Sequence, residues 1–209
     1  MHRLRLGAVV LAAGEGRRFG ASPKQLLVPN GVTTLVSRAV EAAIGAGAER
    51  GVVGTGAHRE AVERVVRGAS RAGGYAPAVE CAYNERWREG PGTTLALALR
   101  RLLTYDVDAC FVSLADQPAV TSAALRGFAE RLNGHDAVAL AYPSGAGVPA
   151  LLTRALAERL TAKPTGRHQT AKALLRHPAT DTALVDAPAL RRDIDTAADW
   201  LAWRRHLGH

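Results

Sequence analysis

The sequence is poor in cysteine, methionine and aromatic residues: two Cys, one Met and 5% Phe, Trp and Tyr in 209 residues. Cys81 and Cys110 lie far apart in separate apolar segments. That leaves neither a disulfide framework nor a metal-ligand spacing, and both read as buried thiols. No apolar run reaches the roughly 18 to 20 residues of a membrane span. The start, "MHRLRLGAVVLAAG", enters strand-like sequence without a cleavable signal pattern, so a cytoplasmic protein without a membrane partner is expected. Repeats, low-complexity tracts and linkers are also missing, and a 47% hydrophobic content suffices for one core; a single domain over residues 1–209 is expected.

What is abundant is positive charge. The net charge is +8, and arginine supplies nearly all the basic residues. Such a chain suits an anionic partner, but the basic residues are scattered, aromatics are few, and no motif for binding RNA or DNA occurs. Phosphorylated small molecules fit better than nucleic acid.

Along the chain, strand-like and helix-like segments alternate. Leu4 to Ala12 is a consecutive apolar run, the pattern of a strand buried on both faces. Thr33 or Thr34 can cap a helix carrying Val36, Val40, Ala43 and Ile44 at helical spacing and ending near Gly45 and Gly47. The pattern predicts further strands at 50–54, 78–82, 108–114 and 137–141, and helices at 58–67, 93–103 and 122–132. This is an α/β chain: a Rossmann-like, mostly parallel sheet in three α/β/α layers. After Tyr142 the pattern loosens. "PSGAGVPALL" reads as a turn feeding a short strand, 154–160 and 170–175 as helices, and 184–186 as a last strand. A final helix from about Thr196 sets Trp200, Trp203 and Leu207 on adjacent turns, as for core packing.

In such sheets ligands lie beyond the carboxyl ends of the strands, where strand order reverses. Polar or glycine-rich sequence follows four predicted strands, at Gly14, at 84–92, at Asp116 and at 145–149. The first of these, "LAAGEGRRFGASPKQLL", fails both familiar phosphate loops. Five residues separate Gly14 from Gly20, and Ala21 and Ser22 follow, where a triphosphatase loop needs four and then Gly-Lys-Ser/Thr. Phe19 stands where a dinucleotide fingerprint needs its third glycine, and no acidic residue ends the second strand. What remains is a glycine turn with free N–H groups, Arg18 to fork onto phosphate oxygens and Lys24 as a mobile point charge; a surface turn with solvated arginines would look the same. Asp116, directly after a buried strand in "FVSLADQPAV", suits a divalent cation beside phosphates, or else a helix cap before Pro118. In "RRDIDTAAD", Asp195 can reach the same cleft, while Asp193 and Asp199 read as helix-terminal or surface charges.

Taken together, "LAAGEGRRFGASPKQLL" and "LADQPAVT" resemble the signature loop and metal-binding strand end of the MobA-like nucleotidyltransferases. "GAGVPALL" and "DIDTAADW" are similar to closing motifs of the molybdenum cofactor cytidylyltransferase branch. The resemblance runs through nearly the whole chain in the right order and implies the nucleotide-diphospho-sugar transferase type of fold. It also implies Leu11, Ala12, Ala13 and Gly14 beside the base and ribose, Gly16, Arg18 and Lys24 around the triphosphate, and Asn84, Gly90 and Thr93 at a second glycine-rich wall. Asp116 would hold Mg²⁺ with Asp195 as second ligand. Arg18, Lys24 and Asp116 would carry the catalysis, in which CTP gives its CMP moiety to molybdopterin with release of pyrophosphate. A molybdoenzyme is an implied further partner. The Leu-Ala-Ala-Gly form resembles that of pyrimidine users, the Ala13 methyl leaving less room for a purine.

The sequence also departs from the family pattern. Gly16 replaces the usual Ser and Phe19 the usual Met, Gly92, Thr93 and Thr94 replace a serine run, and Val148 stands where His is common. "GRHQTAKALL" lacks an acidic residue, with Lys172 nearest the usual Arg. Another phosphorylated acceptor, such as a sugar or isoprenoid phosphate, stays open, as does a non-catalytic nucleotide-binding or molybdoenzyme-maturation protein.

Overall fold

A computed structural model describes residues 3–20, 22–29, 31–75, 78–162 and 170–207, with side chains to 205. The segment 163–169, which includes the first four residues of "GRHQTAKALL", Ala21 in the first loop and the Leu207 side chain lie outside the described residues.

The strands are β1 (Leu6–Ala12), β2 (Ala48–Thr55), β3 (Val79–Tyr83), β4 (Ala109–Leu114), β5 (Ala137–Tyr142), β6 (Gly145–Thr153) and β7 (Thr182–Val185). The helices are α1 (Leu35–Gly45), α2 (Arg59–Ala72), α3 (Pro91–Leu102), α4 (Ser122–Ala129), α5 (Arg154–Thr161), α6 (Ala171–Leu175) and α7 (Ala197–Leu207). The strands form one sheet in the order β3-β2-β1-β4-β6-β5-β7. Its pairings are parallel except those of β6, which is antiparallel to β4 and β5.

Strand β1 is an interior strand, paired on both edges, and both of its faces are buried, with Val9 and Val10 at 0% and 2% exposure. Because successive side chains alternate across a strand, neighbouring residues of β4 serve opposite layers. Phe111 packs with Phe128 and Leu125 of α4 and the α1 alanines, whereas Val112 packs with Leu95, Leu99 and Leu102 of α3 and Leu156 of α5. The α1–α2 pair closes the first face with Val36, Val40, Val62 and Val66. The expected three-layer α/β/α arrangement is present.

Threonine caps start several of these helices. Of the two candidates before α1, Thr34 is the cap: its hydroxyl accepts from Ser37 N at 3.3 Å. Thr121, Thr153 and Thr170 cap α4, α5 and α6 in the same way. We expect Thr34→Ala to lower unfolding stability by about 1 kcal/mol, read as a shift of the urea midpoint at unchanged m-value.

Two expectations need correction. The "PSGAGVPALL" segment is not a turn feeding a short strand: Pro143 and Ser144 alone make the turn, and Gly145–Thr153 is a nine-residue strand inserted between β4 and β5. Pro149 is tolerated there because the β5–β6 register shifts between Ala139 and Leu140, so that Val148 and Pro149 bulge out of the ladder. Gly147 is required by close approach: a Cβ on it would lie 2.7 Å from the Tyr142 ring. The second correction concerns α7. Trp200 and Trp203 are only half-buried, Leu201 is 57% exposed, and none of them joins the three apolar clusters. Of the cysteines, Cys110 is buried and Cys81 partly so. Burial pushes both thiols up to about 12, so they stay protonated and unreactive at neutral pH.

Candidate active site

Strand order reverses at β1: the chain runs outward through β2 and β3, then returns to place β4 on the other side. The carboxyl ends of these four parallel strands therefore open into one crevice. A cavity of about 450 Å³ lies there. Its walls include Leu11, Ala13, Gly14, Gly16, Arg18, Lys24, Gly90, Asp116 and Asp195, candidate site residues from four separate segments of the sequence.

The first loop is held from beneath by Gln25. Its buried amide donates to Gly14 O at 2.5 Å and to Ala12 O at 3.4 Å, and the His58 ring lies 3.1 Å from Glu15 O. Gly16, at φ 70°, occupies the left-handed region that strains any other residue, which accounts for glycine where serine is usual. A short 3₁₀ turn, Lys24–Leu26, then delivers Lys24 into the cavity floor. Its ammonium lies 2.5 Å from Asp116 Oδ2 and 2.8 Å from Asp195 Oδ1. Arg18 pairs with the other oxygen of Asp195 at 3.0 Å. Burial alone would lower the Lys24 pKa, but the two carboxylates outweigh it and hold the ammonium above the usual lysine value. Lys24 is thus a fixed positive charge between two fixed negative ones, 177 and 171 residues of sequence being bridged by the Arg18 and Lys24 bonds to Asp195.

Asp116 Oδ1 is buried and makes no hydrogen bond. An anionic oxygen left in that state is costly unless a cation approaches it. Among the described residues no group of three or more His, Cys, Asp and Glu is placed to hold a metal. Mg²⁺, however, takes one or two carboxylates and fills its octahedron with water and phosphate oxygens. The Asp116–Asp195 pair, already spaced around an ammonium, fits that requirement.

Asn84 and Thr93 are placed differently. Both are buried behind the wall: the Asn84 amide donates to Thr93 Oγ1 at 2.9 Å and Thr94 Oγ1 at 2.8 Å, and Thr93 Oγ1 donates to Gly90 O at 2.9 Å. They brace the turn into α3, and Thr94 reaches the cavity instead. Ala12 is likewise buried under the loop.

Asp193 is a correction. It is not a surface charge but lines a second, more apolar cavity of about 270 Å³ with Tyr142, Val148, Leu95 and Lys172. The two cavities share Leu11, Pro91 and Leu114 as a common wall. Gln117, 3% exposed, ties this side together, its amide lying 3.0 Å from Asp193 Oδ1, 3.2 Å from Tyr142 Oη and 3.2 Å from Val148 O. Sequence spacing carried no signal for this network, because it depends on the bulge in β6. Asp199 is helix-terminal as expected, accepting from Asp195 N and Thr196 N at the start of α7.

Burial first, then the neighbouring Asp116 and Asp195, push the Asp193 carboxyl up to about 6. The folded protein therefore keeps a proton that the unfolded chain releases nearer 3.8, and stability falls as pH rises from about 4 to about 6. In metal-free protein we expect Asp193→Asn to flatten this dependence and to raise Tm relative to wild type above pH 6, not below pH 4.

A doubly wound sheet whose reversal point presents paired carboxylates, a buried lysine and a glycine loop to one cavity is the architecture of an α/β nucleotide-using transferase. The chain belongs to the MobA-like NTP transferase family, whose domain model matches residues 8–187. Its fold is shared, over 97% of each chain, with a nucleotidyl transferase from Methanothermobacter thermautotroptrophicus at 26% identity and TM-score 0.76. Rv0371c from Mycobacterium tuberculosis matches over 99% of each chain at 24% identity and TM-score 0.71. A structure of that protein in complex with manganese matches over 98% of this chain and 100% of that one, at 22% and TM-score 0.72. No curated protein sequence matches significantly. Among the described residues no helix is long and apolar enough to cross a membrane.

Proposed function

We propose that the chain is a single-domain, Mg²⁺-dependent cytidylyltransferase that transfers CMP from CTP to the phosphate of molybdopterin and releases pyrophosphate. The observation that carries this reading is the Lys24 ammonium held between Asp116 and Asp195 on the floor of a cavity large enough for a nucleotide. The complex of Rv0371c with manganese supports a divalent ion in such a protein.

In this reading each residue of the cavity has a role. Ala13 and Gly14 border the base and ribose, with Leu11 and Ala12 behind them; Gly16 leaves the loop close enough for backbone N–H groups to meet phosphate oxygens. Arg18 and Lys24 neutralise the β- and γ-phosphates, and Asp116 and Asp195 hold the metal. When bound, Mg²⁺ supplies charge neutralisation across the phosphates. Gly90, with Asn84 and Thr93 bracing it, fixes the opposite wall. An acceptor phosphate oxygen attacks the α-phosphorus in line, the bond from that phosphorus to the bridging oxygen breaks, and pyrophosphate leaves. Little proton transfer is needed, so alignment and charge stabilisation account for most of the acceleration.

The adjoining cavity suits the acceptor: apolar walls at Leu95, Leu114 and Val148 for a flat body, and Lys172 for its phosphate. The Lys172 ammonium sits 5.8 Å from the Tyr142 ring centroid, beside that space. A molybdoenzyme would receive the product. The test is a screen of nucleoside triphosphates with molybdopterin and Mg²⁺, scored by pyrophosphate release. Release with CTP supports the reading; release only with a sugar or isoprenoid phosphate in place of molybdopterin overturns the acceptor, and none with any acceptor overturns the enzyme.

A further inference from the structure

The donor cavity has a wall that the charged cluster does not explain. Trp87 and Arg88, in the 3₁₀ turn Trp87–Glu89 after β3, both line it. The Arg88 guanidinium carbon lies over the Trp87 ring, 4.3 Å from its centroid, within cation–π range. Of the three arginines lining the cavity, Arg17 pairs with Glu15 and Arg18 with Asp195. Arg88 makes no ion pair among the described residues, while its neighbour Arg86 is neutralised by Glu89 at 2.6 Å. An arginine stacked at a cavity mouth without an acid keeps its hydrogen-bonding edge free.

The fold fixes where this edge lies. Gly56, just past β2, is pressed between the ends of β1 and β3: a Cβ there would sit 2.6 Å from Ala13 O, 2.8 Å from Ala13 Cβ and 2.7 Å from Trp87 Cβ. Asn84 N bonds Thr55 O at 2.9 Å and Trp87 N bonds Asn84 O at 3.2 Å, so the turn is anchored to the ends of β2 and β3. In the sheet order β3-β2-β1-β4 the Trp87–Arg88 wall and the Asp116 carboxylate therefore stand on opposite sides of the Ala13–Gly14 loop. A nucleotide with its phosphates at Lys24 and Asp116 has its base toward Trp87 and Arg88.

We propose that Trp87 and Arg88 are the base-reading wall of the donor cavity, with Arg88 aiming two adjacent N–H donors at the N3 and O2 acceptors of cytosine. This rests on the donor-site reading above and adds the residues that choose the base. A guanidinium fork matches two adjacent acceptors and an ammonium does not. Uracil is the same size as cytosine but carries a proton on N3, so one donor of the fork would meet another donor. Selection of CTP over UTP thus becomes a property of Arg88, independent of cavity volume.

The test is equilibrium binding of CTP, UTP, GTP and inorganic tripolyphosphate, with Mg²⁺, to wild type, Arg88→Lys, Arg88→Ala and Trp87→Phe. The expected result is a preference of about tenfold for CTP over UTP in wild type, abolished in both Arg88 variants, with tripolyphosphate affinity unchanged. Trp87→Phe, which keeps a ring under the guanidinium, should retain most of the preference. Equal loss of CTP and tripolyphosphate would make Arg88 a phosphate contact and overturn the proposal, as would an unaltered CTP to UTP ratio. A wild-type preference for GTP that depends on Arg88 would overturn cytosine as the base. If wild type binds tripolyphosphate but no nucleotide, the donor-site reading itself fails, a result separable from all the others.

Discussion

Asp116→Asn is expected to lower kcat for nucleotidyl transfer by about 10²- to 10³-fold while changing Tm little. The substitution keeps the shape of the side chain and removes its charge. In the proposed reaction that charge has two tasks: it helps to hold the divalent ion that neutralises the triphosphate, and it fixes the Lys24 ammonium, now 2.5 Å away. Neither task is structural in the main. The Lys24 ammonium keeps Asp195 at 2.8 Å, and the backbone carbonyl of Asp116 continues to accept from Ile194 N at 2.9 Å, so the segment carrying Asp195 stays docked. The measurement is single-turnover pyrophosphate release at saturating CTP and Mg²⁺, together with a thermal melt. A variant that melts like wild type and turns over like wild type would remove Asp116 from the reaction.

Lys24→Ala should be the second largest loss, with kcat/KM for the triphosphate down by about 10²-fold. Unlike the first substitution it carries a structural penalty, because two carboxylates are left facing each other without their cation. Exposed ion pairs contribute about 0–1 kcal/mol and loss of one partner in a buried pair costs about 3–5 kcal/mol; this pair borders an open cavity, so about 1–2 kcal/mol is expected. Added Mg²⁺ should restore much of that stability by occupying the same negative site, without restoring turnover. Arg18→Ala is expected to cost less, about tenfold, because its side chain is 72% exposed and pairs with Asp195 alone among the described residues at salt-bridge distance. An unchanged kcat/KM in both variants would contradict the assignment of the loop to the triphosphate.

Two parts of this site that were legible in sequence, Gly14 and Asp116, share one property: each sits just after a strand buried on both faces. Consecutive apolar residues announced β1 and β4, and whatever polar residue followed them, Gly14 or Asp116, had to stand at the crevice. The order of strands could then be left unspecified. Asp193 was illegible for the opposite reason. Its burial is produced by Gln117 and Tyr142 and by the bulge at Val148 and Pro149, and β6 itself was hidden by Gly145, Gly147 and Pro149, residues that ordinarily argue against a strand. The Trp87–Arg88 wall needed Gly56 and Ala13 to be known as its neighbours, which only the parallel register of β1, β2 and β3 supplies. The last helix misled because a tryptophan stripe resembles a core face, yet α7 lies outside the apolar clusters and keeps its tryptophans half-buried.

The two cavities also explain why the departures from the family pattern fall unevenly. Gly16 and Phe19 belong to the first loop, where Gly16 lines the larger cavity and, in the proposed function, contributes backbone N–H groups. Val148 and Lys172 line the second cavity, which in the proposed function receives the acceptor. Differences in acceptor should therefore appear there first.

The central claim is that Asp116 and Asp195, bridged by Lys24 in the free protein, hold a divalent ion together with the triphosphate. Its most direct test is electron paramagnetic resonance of Mn²⁺ titrated into the protein with and without CTP. The account predicts tight Mn²⁺ binding that requires CTP in wild type and is lost in both Asp116→Asn and Asp195→Asn. Binding of Mn²⁺ and CTP by these variants as strong as in wild type would contradict it.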